Sequence, residues 1–129
     1  MGQQQLLLIV LGVIIVGIAV VVGINVFTTS SSQANTDAVI ADLTNIASDA
    51  QKFYKMPTNM GGGGNAFTGY TIPARLGSSA NGYYVATVAA QSVTLVGTGN
   101  QIGTNGVDSV KVTMVVGPSN ITSTTINSR

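Results

Sequence analysis

The residues able to do chemistry are few in this chain. It has no His, Cys or Trp, and its four acidic residues are all Asp: Asp37, Asp42, Asp49 and Asp108. The usual general bases, thiolate nucleophiles and soft-metal ligands are therefore missing, and the many Ser and Thr hydroxyls have no imidazole to activate them. That inventory argues against an enzyme and implies no cofactor. The four consecutive glycines Gly61–Gly64 invite a phosphate-loop reading. No Lys-Ser/Thr follows them and no strand precedes them, so a flexible connection is expected instead. Asp108 with Asn105 supplies too few oxygens for Ca²⁺, which takes six to eight, and the pair is read as a turn. Asn120-Ile121-Thr122 fits the acceptor pattern for N-linked sugar, a short motif that also arises by chance.

The elements that must position these residues are set by an uneven distribution of charge. Charged residues make up only 7% of the chain, against roughly 25% in ordinary soluble domains. All of them lie after position 36. The net charge of +1 gives no bulk attraction for nucleic acid.

Leu6 to Phe27 reads LLLIVLGVIIVGIAVVVGINVF, interrupted only by Gly12, Gly17, Ala19, Gly23 and Asn25. As a helix it spans about 33 Å, enough for a hydrocarbon core of about 30 Å. Insertion is favoured by on the order of 5–10 kcal/mol. A cleaved secretory signal fits poorly, because a basic n-region is absent and the apolar run is too long. A small soluble domain cannot wrap a helix that is apolar on every side.

From Gln33 the pattern becomes amphipathic. Val39, Leu43, Ile46, Ala50 and Phe53 form one helical stripe, with Asp37, Asp42, Asp49 and Lys52 largely on the other side. The linking TTSSSQAN is polar and open to fraying. One helix is expected from about Gln3 to Lys55, ended by Met56-Pro57. Gly17 and Gly23 permit a bend, but without a Pro the helix should stay continuous.

The remainder reads as strands. Gly82–Ala90 and Ser92–Gly97 are expected to pair as a hairpin, Ser109–Val116 alternates cleanly, and Ile121–Asn127 is a weaker candidate. Asn-Gly at 81–82 and 105–106 marks turns, and the Asn100–Asp108 stretch is expected as an exterior loop. The fold class is thus α+β: a long N-terminal helix, apolar in its first half and amphipathic in its second, packed on a small antiparallel sheet of three to four strands. Three regions follow: 1–27, a transmembrane or filament-core helix; 28–56, its amphipathic continuation; and 57–129, a Gly-rich connection and β domain.

This architecture, with the N-terminal run MGQQQLLLIVLGVIIVGIAVVVGI, resembles type IV pilins. The resemblance covers about 30 residues at motif level and the rest only as architecture. It implies a structural, non-enzymatic subunit that forms a homopolymer and waits in the cytoplasmic membrane before joining an extracellular, cell-surface filament. Adhesion and motility are among the uses of such filaments. The implied partners are identical subunits, a leader peptidase and the pilus assembly machinery. By the same resemblance Met1 would be N-methylated, although Gln3 is a second possible mature start. The core interface would include Met1, Gln5, Leu6, Leu8, Val13, Val16, Val20 and Phe27. Modification at Asn120 would fall on the outer domain.

Two departures stand out. Gln5 occupies the position where the family usually has Glu, and Val22-Gly23 occupies the place of a helix-breaking Pro. An archaeal-type pilin or flagellin-like subunit tolerates both departures, and a secretion pseudopilin is a further relative to consider. A signal-anchored surface or periplasmic binding domain, from a different class, would share the topology without polymerising.

Overall fold

The computed structural model describes residues 2–128. It consists of one long helix and a five-stranded antiparallel meander packed against the second half of that helix. The helix, α1, runs without interruption over Gly2–Lys55, about 80 Å at 1.5 Å per residue. No break occurs between Val13 and Gly23, as the absence of Pro led us to expect.

The polar stretch after Phe27 does not fray, and its hydroxyls bond back along the helix. Thr28 donates to the Ile24 carbonyl at 2.9 Å and Thr36 to the Ser32 carbonyl at 2.9 Å. Thr44 and Ser48 repeat the pattern about two and three turns further on. Each of these hydroxyls is satisfied by the backbone carbonyl four residues back, and α1 stays continuous through them.

The glycine run is not a loose connection. Beyond Pro57 the chain makes a short 3₁₀ turn at Thr58–Met60 and folds back over the end of α1. There Gly63 N–H donates to the Phe53 carbonyl at 2.8 Å, Gly64 N–H to Met56 and Asn65 N–H to Tyr54. Helix ends leave carbonyls without partners, and this segment supplies them. A Cβ on Gly63 would lie 1.8 Å from the Ala66 carbonyl oxygen, so glycine is required there by close approach.

A one-turn helix α2, Ala74–Gly77, leads into β1, Ser78–Ser79. The strands β2 (Gly82–Val88), β3 (Val93–Ile102), β4 (Ser109–Val116) and β5 (Ile121–Ser128) follow in spatial order. The sheet thus exceeds the expected three to four strands by the two-residue β1. Strand β3 also runs five residues past Gly97, so the loop expected from Asn100 begins only at Gly103.

Alternation in β4 buries Val110, Val112, Met114 and Val116. Val93 and Leu95 of β3 and Tyr84 of β2 join them. Opposite lie Val39, Leu43, Ile46, Ala47 and Ala50 of α1, with Phe67 and Tyr70 closing one end. Full burial of such side chains contributes about 1.5–3 kcal/mol each. Phe53 is only partly buried at the edge of this core.

Candidate functional site

The distinctive surface of the molecule is the first half of α1. Every large apolar side chain from Leu6 to Phe27 is more than half exposed, whereas Val39, Leu43, Ile46 and Ala50 are fully buried. The helix is long and apolar enough to cross a membrane.

The residues expected at a subunit interface fall on this uncovered cylinder. Gln5 is exposed, and Leu6, Leu8, Val13, Val16, Val20 and Phe27 range from 54% to 74% exposed. They occupy all sides of the helix, so α1 presents a round apolar surface and no single seam. Met1 lies outside the described residues. A Cβ built on Gly12, Gly17 or Gly23 meets nothing within 4 Å, so nothing within the chain explains these glycines. Asn120, the sugar-acceptor candidate, is exposed at the turn between β4 and β5.

Two carboxylates join the second half of α1 to the rest of the domain, Asp42 to the first strands and Asp49 to the segment before α2. Asp42 accepts from Tyr84 Oη at 2.5 Å, Ser79 Oγ at 2.8 Å and Asn81 Nδ2 at 3.1 Å. Partial burial pushes the Asp42 carboxyl upward, but the three donors together hold it below the usual carboxylate range. Burial, and then the bond to Asp42, pushes the Tyr84 phenol up to about 12. About two turns further on, Asp49 accepts from Tyr70 Oη at 3.0 Å. Burial first, and then this carboxylate, raises Tyr70 above the ordinary phenol value. The helical stripe placed Asp42 and Asp49 largely away from the sheet; both instead flank the buried stripe closely enough to reach tyrosines.

Nearer the apolar half, Asn35 ties α1 to two elements. Its Nδ2 donates to the Asn81 carbonyl at 3.0 Å, and its Oδ1 accepts from Gln101 N–H at 3.3 Å. Ser31 donates to Gln101 Oε1. This close approach depends on small residues in β3. A Cβ on Gly99 would lie 2.0 Å from Asn35 Oδ1, and one on Gly97 would lie 2.7 Å from Val39 Cγ1. Two glycines at i and i+2 in a strand were the available signal for such an approach.

Below Asn35 a cleft of about 250 Å³ opens between Ser32, Thr36 and Asp37 on the helix, Thr104 in the β3–β4 turn and Ile126 on β5. The Ser32 hydroxyl is buried there with no hydrogen-bond partner among the described residues. Asn105 and Asp108 form a turn: Asn105 Oδ1 accepts from the Val107 and Asp108 amides, both at 3.1 Å.

Compared with known proteins, the chain matches no family model, no curated protein and no solved structure.

Proposed function

We propose that this chain is a structural subunit of an extracellular filament of the type IV pilus kind, polymerising through the apolar half of α1. The observation that carries the reading is the uncovered cylinder from Leu6 to Phe27 on a helix whose other half is fully packed. Exposed apolar area on this scale demands a cover. A bilayer provides one before assembly, and identical helices in a filament core provide another. The β domain would then form the exterior.

Within that core Gln5 would accept a hydrogen bond from the amino terminus of a neighbouring subunit. Gln5→Leu should then reduce assembly more than Gln5→Glu, because Leu leaves a buried ammonium without an acceptor. Equal filament yield from the two variants would remove this role. The unbroken course of α1 through Val13–Gly23 favours the archaeal-type form of such a subunit, in which neither the Glu nor the Pro is needed.

The competing reading is a signal-anchored surface domain that stays monomeric. Negative-stain microscopy of sheared cell surfaces, with mass spectrometry of the recovered material, separates the two. Filaments built from this chain are expected; a purified full-length chain that is monodisperse without detergent would overturn the assembly reading.

A further inference from the structure

We propose that the β3–β4 hairpin tip, residues 103–108 together with Ile102, is a membrane-contact surface seated in the headgroup layer of the bilayer that α1 crosses. The proposal rests on the membrane placement of α1, not on polymerisation.

Height along the helix is the first argument. Gln101 is bonded to Ser31 and Asn35, and Thr104 shares a cleft with Thr29, Ser32 and Gln33. The tip therefore lies beside positions 29–33, about 3–9 Å past Phe27 at 1.5 Å per residue. The headgroup layer is on the order of 5–7 Å thick on each side of the hydrocarbon. Further contacts between α1 and the β domain climb away from the apolar span: Asp42 with Tyr84, Gln51 with Gly117, Tyr54 with Gln91.

Chemistry is the second. Val107 is 80% exposed and Ile102 54%, on a tip that lies just past the exposed Phe27 at the end of the apolar span. Both are apolar side chains left uncovered at the end of the domain nearest the span. The turn carries one charge, Asp108, and no cation. The first basic residue of α1 is Lys52, far from this level. Lys111 of β4 lines a cleft with Asp108 and balances its charge, so with no net charge there to draw anionic headgroups, the contact is apolar insertion into a zwitterionic surface.

The third argument is order. Gly103 N–H donates to the Asp108 carbonyl at 2.7 Å, Gly106 N–H to the Gly103 carbonyl at 2.9 Å, and Asn105 holds the next two amides. A turn fixed in this way loses little conformational freedom on docking.

The test uses the full-length chain, which has no native cysteine, in phosphatidylcholine vesicles at low copy number. Single-cysteine variants Val16→Cys, Val107→Cys and Met60→Cys each carry an environment-sensitive fluorophore. The Val107 probe should shift to the blue and be quenched by lipids with a nitroxide near the headgroup. The Val16 probe should respond to a nitroxide deep in the acyl chains, and the Met60 probe only to an aqueous quencher. Added salt or anionic lipid should leave the Val107 signal unchanged, and Val107→Asp should release the turn from the surface without unfolding the domain. A Val107 probe as water-exposed as the Met60 probe, with Val16 still in the bilayer, would overturn the hairpin contact alone. An aqueous Val16 probe would overturn the membrane placement itself. A Val107 shift that appears only as copy number rises would assign the surface to a second copy of the chain, and the lipid proposal would fall.

Discussion

The two halves of α1 share one secondary structure and differ in what surrounds them. Residues 28–55 have a polar back, a buried stripe and hydrogen bonds to β1, β2 and β3. Residues 2–27 are bare on every side. Helix formation is local, since its hydrogen bonds close within each segment, so the apolar half needs no tertiary partner to be helical. Burial is not local. The same helix can therefore be the spine of a folded domain at one end and an uncovered surface at the other.

Paired substitutions sharpen this contrast. The largest expected effect is Leu43→Ala, which should lower the stability of the β domain by about 2–5 kcal/mol through the cavity it leaves. Val16→Ala should leave that stability unchanged and reduce only membrane retention or filament yield. Denaturant titration of both variants in detergent checks the difference; an equal drop in midpoint would mean the halves are not independent.

Next in size is Gly99→Ala. Its Cβ would displace Asn35, and forcing α1 away from β3 should destabilise by about 1–3 kcal/mol. Gly17→Ala meets nothing and should instead favour the helix by up to about 1 kcal/mol. If Gly99→Ala proves neutral in the same titration, close helix–sheet contact at Asn35 is not what holds this end of the domain.

A smaller effect is expected at Asp42. Asp42→Asn keeps the shape but removes a charged acceptor from three donors, a loss of about 1–2 kcal/mol. The pH dependence has a definite sign. The folded-state Asp42 carboxyl lies below its ordinary value of 3.8, so its contribution is present above that value and is lost as pH falls through the folded value. Tyr84, raised from 10.0 to about 12, contributes fully below pH 10 and loses its contribution between about 10 and 12. Neither group titrates near neutrality. Unfolding midpoints across pH 2–5 for the wild type and Asp42→Asn should converge at the acid end. Parallel curves would show that the Asp42 carboxylate does not hold the β1–β2 turn.

Much of this fold was legible in order along the chain. The spacing of Val39, Leu43, Ile46 and Ala50 marked the packed face, and Ser109–Val116 announced β4 to the residue. Pro57 marked the end of α1. Less legible were features that depend on distant residues. The glycines at 61–64 read as slack because their partners, the carbonyls of Phe53, Tyr54 and Met56, become acceptors only when the chain doubles back. Asp42 read as solvent-facing because a helical wheel shows angles but not the reach of Tyr84 and Asn81 across the groove. The extension of β3 to Ile102 was hidden by its glycines, which look like turn residues until Asn35 is seen lying over them.

The sequence by itself determined that the first half of the helix is helical, apolar all round and of membrane length, and that strands follow a Pro-ended helix. Those properties need only composition and periodicity, which are written residue by residue. Tertiary structure alone decided which polar groups meet: Asp42 with Tyr84, Asp49 with Tyr70, Asn35 with β3 and the β1–β2 turn, and the hairpin tip with the level of Thr29. Hydrogen bonds between segments depend on positions good to a few tenths of an ångström, and only the packed sheet fixes distances at that scale.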